Sequence, residues 1–290
     1  MELGASGAEQ GGPDPSSRAA AGAPGAPSSR ASSLRVTYQS FGQLTGMEAY
    51  QDLLRAEVAA AAGPGAEVEV RCLDQALLGG KGFSASEALE LPALLGSLAG
   101  AISAGAEAVA IANGFDPGLW PARELFEVPV LGLFETVAFH GLRMGARLGV
   151  LCSGRSGPAR IQEMVARYGI NSRVALPRTL GIAVPEVVSA FENDQTFMGI
   201  GEQLEIEIAR LAADGAELVL IASGALGSLL QFRGIDQAAG LPILPNVPIL
   251  VQELLAAAAI SRLGVPPISR VGRFAAPPEA VRESLRPPSE

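Results

Sequence analysis

Apolar residues fall along the chain in short blocks, separated by longer stretches in which they recur every three or four positions. The blocks are Leu34 to Tyr38, Val68 to Leu73, the run ending at Asn113, Val128 to Leu133, Arg147 to Leu151, the run ending at Ser223, and Leu241 to Leu244. Each has the length and the Val, Ile and Leu content of a buried strand. Between them, Met47, Leu54 and Val58 follow helical spacing, and Thr45 with Glu48 and Ser84 with Glu87 have the spacing of capping boxes. These predict a helix ending near Gly63 and another ending near Ala104. Further helices are predicted after Glu135, from Pro158 to Tyr168, from Thr196 to Ala213, at Gly224 to Gly227, and from Val247 to Leu263. Gln39 to Gly42 reads as a loop, Asp116-Pro-Gly118 as a turn, Pro121 as the first turn of a short helix, and Val174 to Ile182 as extended. Strands alternating with helices of this length predict parallel sheets of an α/β protein.

One segment occurs twice. Gly105-Ala-Glu-Ala-Val-Ala-Ile-Ala-Asn-Gly114 and Gly215-Ala-Glu-Leu-Val-Leu-Ile-Ala-Ser-Gly224 agree at seven of ten positions and begin 110 residues apart. Each reads as a helix end, a buried strand and a tight turn, so the chain is expected to be built of two similar halves. The repeat puts Asn113 and Ser223 in equivalent places at the C-terminal ends of buried strands, where open α/β sheets bind ligands.

Composition sets the limits. Residues 1–33, rich in Gly, Ala, Pro and Ser, read as a disordered tail. The expected organisation is a first lobe over 34–144, a second over 145–246, a helix over 247–264 with the first lobe as a candidate neighbour, and a Pro/Arg-rich tail over 265–290. A hydrophobic share of 48% supports a full core. The net charge of −9, with no basic cluster, argues against nucleic acid and anionic membrane as partners. No run approaches a membrane span, the start lacks the pattern of a secretion signal, and two cysteines make no disulfide framework; the expectation is a cytoplasmic protein. The apolar last helix and acidic surface are compatible with a homo-oligomer. No metal set and no cofactor is implied: one histidine cannot form a cluster with two distant cysteines, Gly79 to Gly82 lacks the Walker spacing, and the dinucleotide fingerprint is absent.

Asp116-Pro-Gly-Leu119, Arg123-Glu124, Val128-Pro-Val-Leu-Gly132 with Glu135, Ile221-Ala-Ser-Gly224 and Pro242-Ile-Leu-Pro-Asn246 together resemble the hydantoin-racemase branch of the aspartate/glutamate racemase superfamily, over roughly residues 34 to 264. The resemblance implies two pseudo-symmetric Rossmann-like lobes with parallel sheets and an active-site cleft between them, where two cysteines move a proton across the substrate. Those cysteines fall on Asn113 and Ser223. A thiol can be tuned to ionise near neutrality; a serine hydroxyl or an amide cannot replace it as a base. Two-thiol racemisation is therefore not expected. The resemblance further implies substrate contacts at Gln39 and Ser40 in the first half and at Cys152, Ser153 and Gly154 in the second, while small residues Gly114, Gly224 and Ala225 would let backbone N–H groups approach a carboxylate or enolate-like oxygen.

Two residues are candidates for moving protons in place of the thiols. Cys152 lies at a strand end before a Gly-rich turn, where it is either an acid/base or nucleophile, or a small packing residue. Glu135 is either a cleft carboxylate with a raised pKa or a charge favouring a helix N-terminus. Asp116 reads as a turn residue, His140 as a partly buried or surface histidine, and Cys72 as packing. The leading expectation is a cofactor-independent isomerase or lyase acting on a small carboxylate- or carbonyl-bearing substrate by enolate-type chemistry, like the maleate isomerases and arylmalonate decarboxylases of the superfamily. The alternatives are a catalytically inactive small-molecule-binding homologue and a hydrolase using Ser223, although the segment around Ser223 is not a nucleophile elbow.

Overall fold

The computed structural model describes residues 33–43, 47–73 and 83–284. Thr45, the Gly79 to Gly82 connection and the N-terminal tail lie outside them.

Four parallel strands form the first sheet in the order β2-β1-β3-β4: β1 (Leu34–Gln43), β2 (Ala66–Leu73), β3 (Ala108–Ala112) and β4 (Val130–Gly132). Between them run α1 (Glu48–Ala62), α2 (Ser84–Ser103) and α3 (Leu119–Leu125), and α4 (Leu133–Met144) follows β4 directly. In the second sheet β5 (Leu148–Cys152) lies between β6 (Arg178–Thr179) and β7 (Leu218–Ile221). Ile243 adds a parallel bridge on the far side of β7, beside Val219. Each sheet therefore follows the same order of second, first, third and fourth segment, which is the topological counterpart of the sequence repeat. The helices of this half are α5 (Gly157–Arg167), α6 (Val184–Ser189), α7 (Asp194–Ala213) and α8 (Gly224–Phe232). A short antiparallel pair, β8 (Gln237–Ala238) and β9 (Leu241–Pro242), precedes α9 (Asn246–Arg262), and α10 (Glu279–Glu283) comes last.

Strands β3, β5 and β7 are buried on both faces, as parallel strands covered by helices must be. In β3, Ala108, Ala110 and Ala112 face one hydrophobic cluster while Val109 and Ile111 face another. The same alternation divides β7, with Val219 and Ile221 on one side and Leu218, Leu220 and Ala222 on the other. One cluster draws on both sheets and takes in Leu250, Val251, Leu254 and Ala258 of α9. That helix packs on α1, β1 and β3, and the alanines of β3 leave room for it.

Several local expectations are corrected. Gln39 to Gln43 continue β1 rather than forming a loop, because Gln39 and Ser40 still pair with Ile111 and Ala112 of β3. The predicted capping box of Ser84 with Glu87 does not form, and that of Thr45 with Glu48 falls in part outside the described residues. Met47 and Phe83 hold the N-cap positions of α1 and α2 without side-chain caps, Ser84 is already helical, and the Glu87 carboxylate is taken by Arg160. Only a short part of Val174 to Ile182 is strand.

The two turns that end the repeat meet back to back. A Cβ on Gly114 would lie 2.3 Å from the carbonyl carbon and oxygen of Ala222, whereas one on Gly224 would lie 3.4 Å from the oxygen of Ala112. Residue 114 thus faces 222 and residue 224 faces 112, a reciprocal contact between equivalent positions. The first approach admits only glycine, since backbone on both sides leaves nothing free to give way. Gly114→Ala should lower stability by about 1–3 kcal/mol, the usual cost of forcing an extra carbon into a packed site. Gly224→Ala should cost well under half of that. Urea denaturation of the two variants measures this; equal losses would refute the asymmetry.

Candidate active site

The strand ends converge on a cleft of about 560 Å³. Its floor is the pair of turns, Ala112 to Phe115 and Ala222 to Ala225; Ser40, Tyr50 and Phe41 close one side, and Ser153 to Gly157 with Gly181 to Val184 close the other. The turns are held by their own side chains. Asn113 Oδ1 accepts from the N–H of Phe115 at 2.9 Å, which leaves its amide nitrogen without a partner among the described residues. Ser223 is the N-cap of α8 and accepts from the N–H of Leu226 at 3.4 Å. Buried Asn246, at the start of α9, donates to the carbonyls of Ile221 at 2.7 Å and Ser223 at 3.5 Å and so fixes the second turn. Ser153 Oγ lies 3.5 Å from Ser223 Oγ, longer than an ordinary hydroxyl–hydroxyl hydrogen bond. The loop carrying Ser153 is tied down by Thr179, whose hydroxyl donates to the carbonyls of Ser153 and Gly154 at 3.0 and 2.8 Å.

Of the residues expected at the site, Asn113, Ser223, Ser40, Gly114, Ser153, Gly154, Gly224 and Ala225 all line the cleft. Three do not. Gln39 points to the other side of β1, where its amide donates to the carbonyl of Ser40 at 2.9 Å and accepts from Ser97 at 2.6 Å. Strand alternation explains this: Gln39 and Ser40 point to opposite faces of β1.

Glu135 is also outside the cleft wall. Both its oxygens take up the guanidinium of Arg123, which in turn donates to the carbonyl of Val130 at 3.1 Å. The carboxylate joins α3 to α4 and carries no free charge to the site. Beside it, Asp116 does more than hold its own turn. Its oxygens accept from the N–H groups of Phe134 and Glu135, both at 2.8 Å, and from the hydroxyl of Tyr168 at 2.7 Å, capping the otherwise bare start of α4. Burial pushes its carboxyl up to about 7, against the opposing pull of these donors. Gly132 leaves the room for it, since a Cβ there would stand 2.5 Å from the carboxyl carbon.

Cys152 is fully buried and belongs to the cluster between β5 and α5. Its sulfur lies 2.7 Å from where a Cβ of Gly157 would be, so cysteine and glycine interlock. Burial pushes its thiol up to about 12, so it is neutral at physiological pH. The expectation of an activated thiol at the strand end is thereby corrected: the side chain faces the helix layer, and the packing reading holds. His140 lies on α4 against Glu253, at 2.9 Å, with Arg143 on the same carboxylate.

Sequence reasoning missed Tyr50, Phe115, Arg155, Ile182 and Asn246. Phe115 follows Gly114 in the repeat turn, and Arg160 stacks over its ring at 4.3 Å while paired to Glu87 of α2. Asn246 was visible at the end of Pro242 to Asn246, but as part of a pattern rather than as a brace. Among the described residues, no cluster of three or more His, Cys, Asp or Glu side chains could hold a metal, and no helix is long and apolar enough to cross a membrane.

The sequence profile of the Asp/Glu/Hydantoin racemase family matches residues 44–254, and the chain belongs to that family. It is 28% identical to a hydantoin racemase of Rhizobium meliloti over 168 residues, which is 58% of this chain and 67% of that protein. Identity to a hydantoin racemase of Pseudomonas sp. (strain NS671) is 30% over 162 residues, 56% of this chain and 62% of the other. In fold it is similar to an allantoin racemase from Klebsiella pneumoniae, with a TM-score of 0.69, 22% identity, and coverage of 84% of this chain and 94% of that one. A glutamate racemase from Bacillus anthracis superposes with a TM-score of 0.58 at 11% identity, over 81% of this chain and 84% of that one.

The placement of Cys152 has a direct chemical test. In a Cys72→Ser background, a disulfide reagent at pH 8 should modify native Cys152 slower than the unfolded chain by on the order of 100-fold or more, because both the thiolate and access are lacking. Fast labelling of the folded protein would contradict the buried, neutral thiol.

Proposed function

We propose that the chain binds a small carboxylate- or carbonyl-bearing compound in this cleft and acts on it as a cofactor-independent enzyme without two-thiol proton transfer. The observation that carries the reading is the make-up of the wall. Asn113 and Ser223 line the cleft at equivalent strand ends, while neither of the chain's two cysteines nor its single histidine does. No carboxylate is present among the described lining residues either. Base-initiated removal of a proton from carbon thus has no agent among the described lining residues.

What the wall offers is donors: the Asn113 amide nitrogen, the hydroxyls of Ser153 and Ser223, and the first N–H groups of α8 at the positive end of its dipole. Such an array suits an oxygen on which negative charge develops. Among enolate-type reactions, decarboxylation makes the least demand on the missing base. Loss of carbon dioxide from a malonate-type acid leaves the electron pair of the broken carbon–carbon bond in an enolate, which the donors hold and water then protonates. This favours the lyase form of the proposal over an isomerase.

A second reading, a binding protein without turnover, draws on the same absence of a proton carrier. The hydrolase alternative is not favoured: the partners of Ser223 are the Leu226 N–H and Ser153, and neither is a base.

Proton NMR in D2O tests the proposal with substituted malonates, hydantoins, amino acids and maleate-like diacids, for the native protein and for Asn113→Cys/Ser223→Cys. The native protein is expected to decarboxylate a malonate and to leave the α-protons of hydantoins and amino acids unexchanged, with exchange appearing in the double variant. Rapid α-proton exchange by the native protein would overturn the proposal. Binding of the same compounds with no conversion would select the binding-only reading.

A further inference from the structure

Arg155 is the one charged residue among the described residues that line the cleft. It is exposed, and it has no hydrogen bond, ion pair or ring contact among the described residues. Its neighbour Arg160 is spent on Glu87 and the ring of Phe115, and Arg178 and Arg233 on Asp214 and Asp194. Arg155 sits on the turn between β5 and α5, just before the N-terminal end of an 11-residue helix. Its stem runs beside Gly181 on the same side of the cleft: the Cγ and Nε atoms lie 3.7 Å from where a Cβ of residue 181 would stand.

A free guanidinium at the rim of a cleft whose other polar groups are hydroxyls and amides creates a local positive site in a chain of net charge −9. We infer that Arg155 is the residue that selects an anionic ligand, taking one carboxylate of it in a two-pronged contact while the Asn113 and Ser223 turns hold the carbonyl end. The inference rests on the proposed binding role of the cleft and deepens it: the substrate class becomes carboxylates, and neutral amides or cyclic ureides of similar size are disfavoured. Planar guanidinium and planar carboxylate match in geometry, and the hydrogen bonds are charge-assisted. Because Arg155 is exposed, the contact weakens as salt is added.

An isosteric pair that the protein cannot decarboxylate isolates this role: phenylacetate and phenylacetamide, titrated by ligand-observed NMR into native protein, Arg155→Gln, Arg155→Lys and the surface control Arg147→Gln. The native protein and the control should prefer the acid. Arg155→Gln should bind the acid about tenfold or more weakly, with the amide unchanged, and Arg155→Lys should keep part of the preference. Circular dichroism confirms that each variant is folded. If Arg155→Gln keeps the full preference for the acid, the assignment of Arg155 fails while the cleft reading stands. If neither compound binds the native protein, the cleft reading fails and the inference with it.

Discussion

Everything at the site depends on the contact between Gly114 and Ala222. It brings the end of β3 within van der Waals range of the end of β7, backbone against backbone, with no side chain between them. The reciprocal contact of Gly224 with Ala112 makes the junction nearly two-fold, so equivalent residues Asn113 and Ser223 emerge on either side of it. A side chain at 114 would force the sheets apart and open the cleft floor. Asn246 then fixes the second turn, while Asn113 fixes the first through its own side-chain carbonyl.

Charge distribution follows a consistent rule. Carboxylates near the site are committed to structure: Glu135 to Arg123, Asp116 to the start of α4, Glu87 to Arg160. These pairs bind α3 to α4 and α2 to α5, holding the rim in place while leaving the described wall free of acids. Hydroxyls, amides and helix ends remain, with Arg155 at the mouth. A wall of that kind can orient and polarise a carbonyl compound, and its described lining residues include no carboxylate, thiol or imidazole with which to attack it.

Much of this was legible in the sequence. The repeat located the paired turns, and the apolar runs placed nearly every strand, because a parallel strand buried on both faces leaves an unmistakable block of Val, Ile, Leu and Ala. Which side of a strand a residue faces was harder. Gln39 with Ser40 and Cys152 with Ser153 were assigned to the cleft from their position at strand ends, yet a step of one residue decides the face, and only Ser40 and Ser153 occupy it. Glu135 was undecidable from local pattern, since its partner Arg123 lies on another helix and their pairing exists only in three dimensions. The capping box of Ser84 with Glu87 failed for a related reason: Glu87 pairs with Arg160 across the fold rather than with its own helix end. Arg155 gave no signal, because a lone arginine in a Gly/Ser turn looks like ordinary surface.

The claim that these two turns form the ligand-binding floor can be tested by following the side-chain amide of Asn113 by nitrogen-15 NMR during titration with phenylacetate, its resonances assigned by their loss in Asn113→Asp. The account predicts saturable shifts of that amide together with the backbone amides of Gly224 and Ala225. Shifts confined to another face of the protein, with these three groups unmoved, would contradict it.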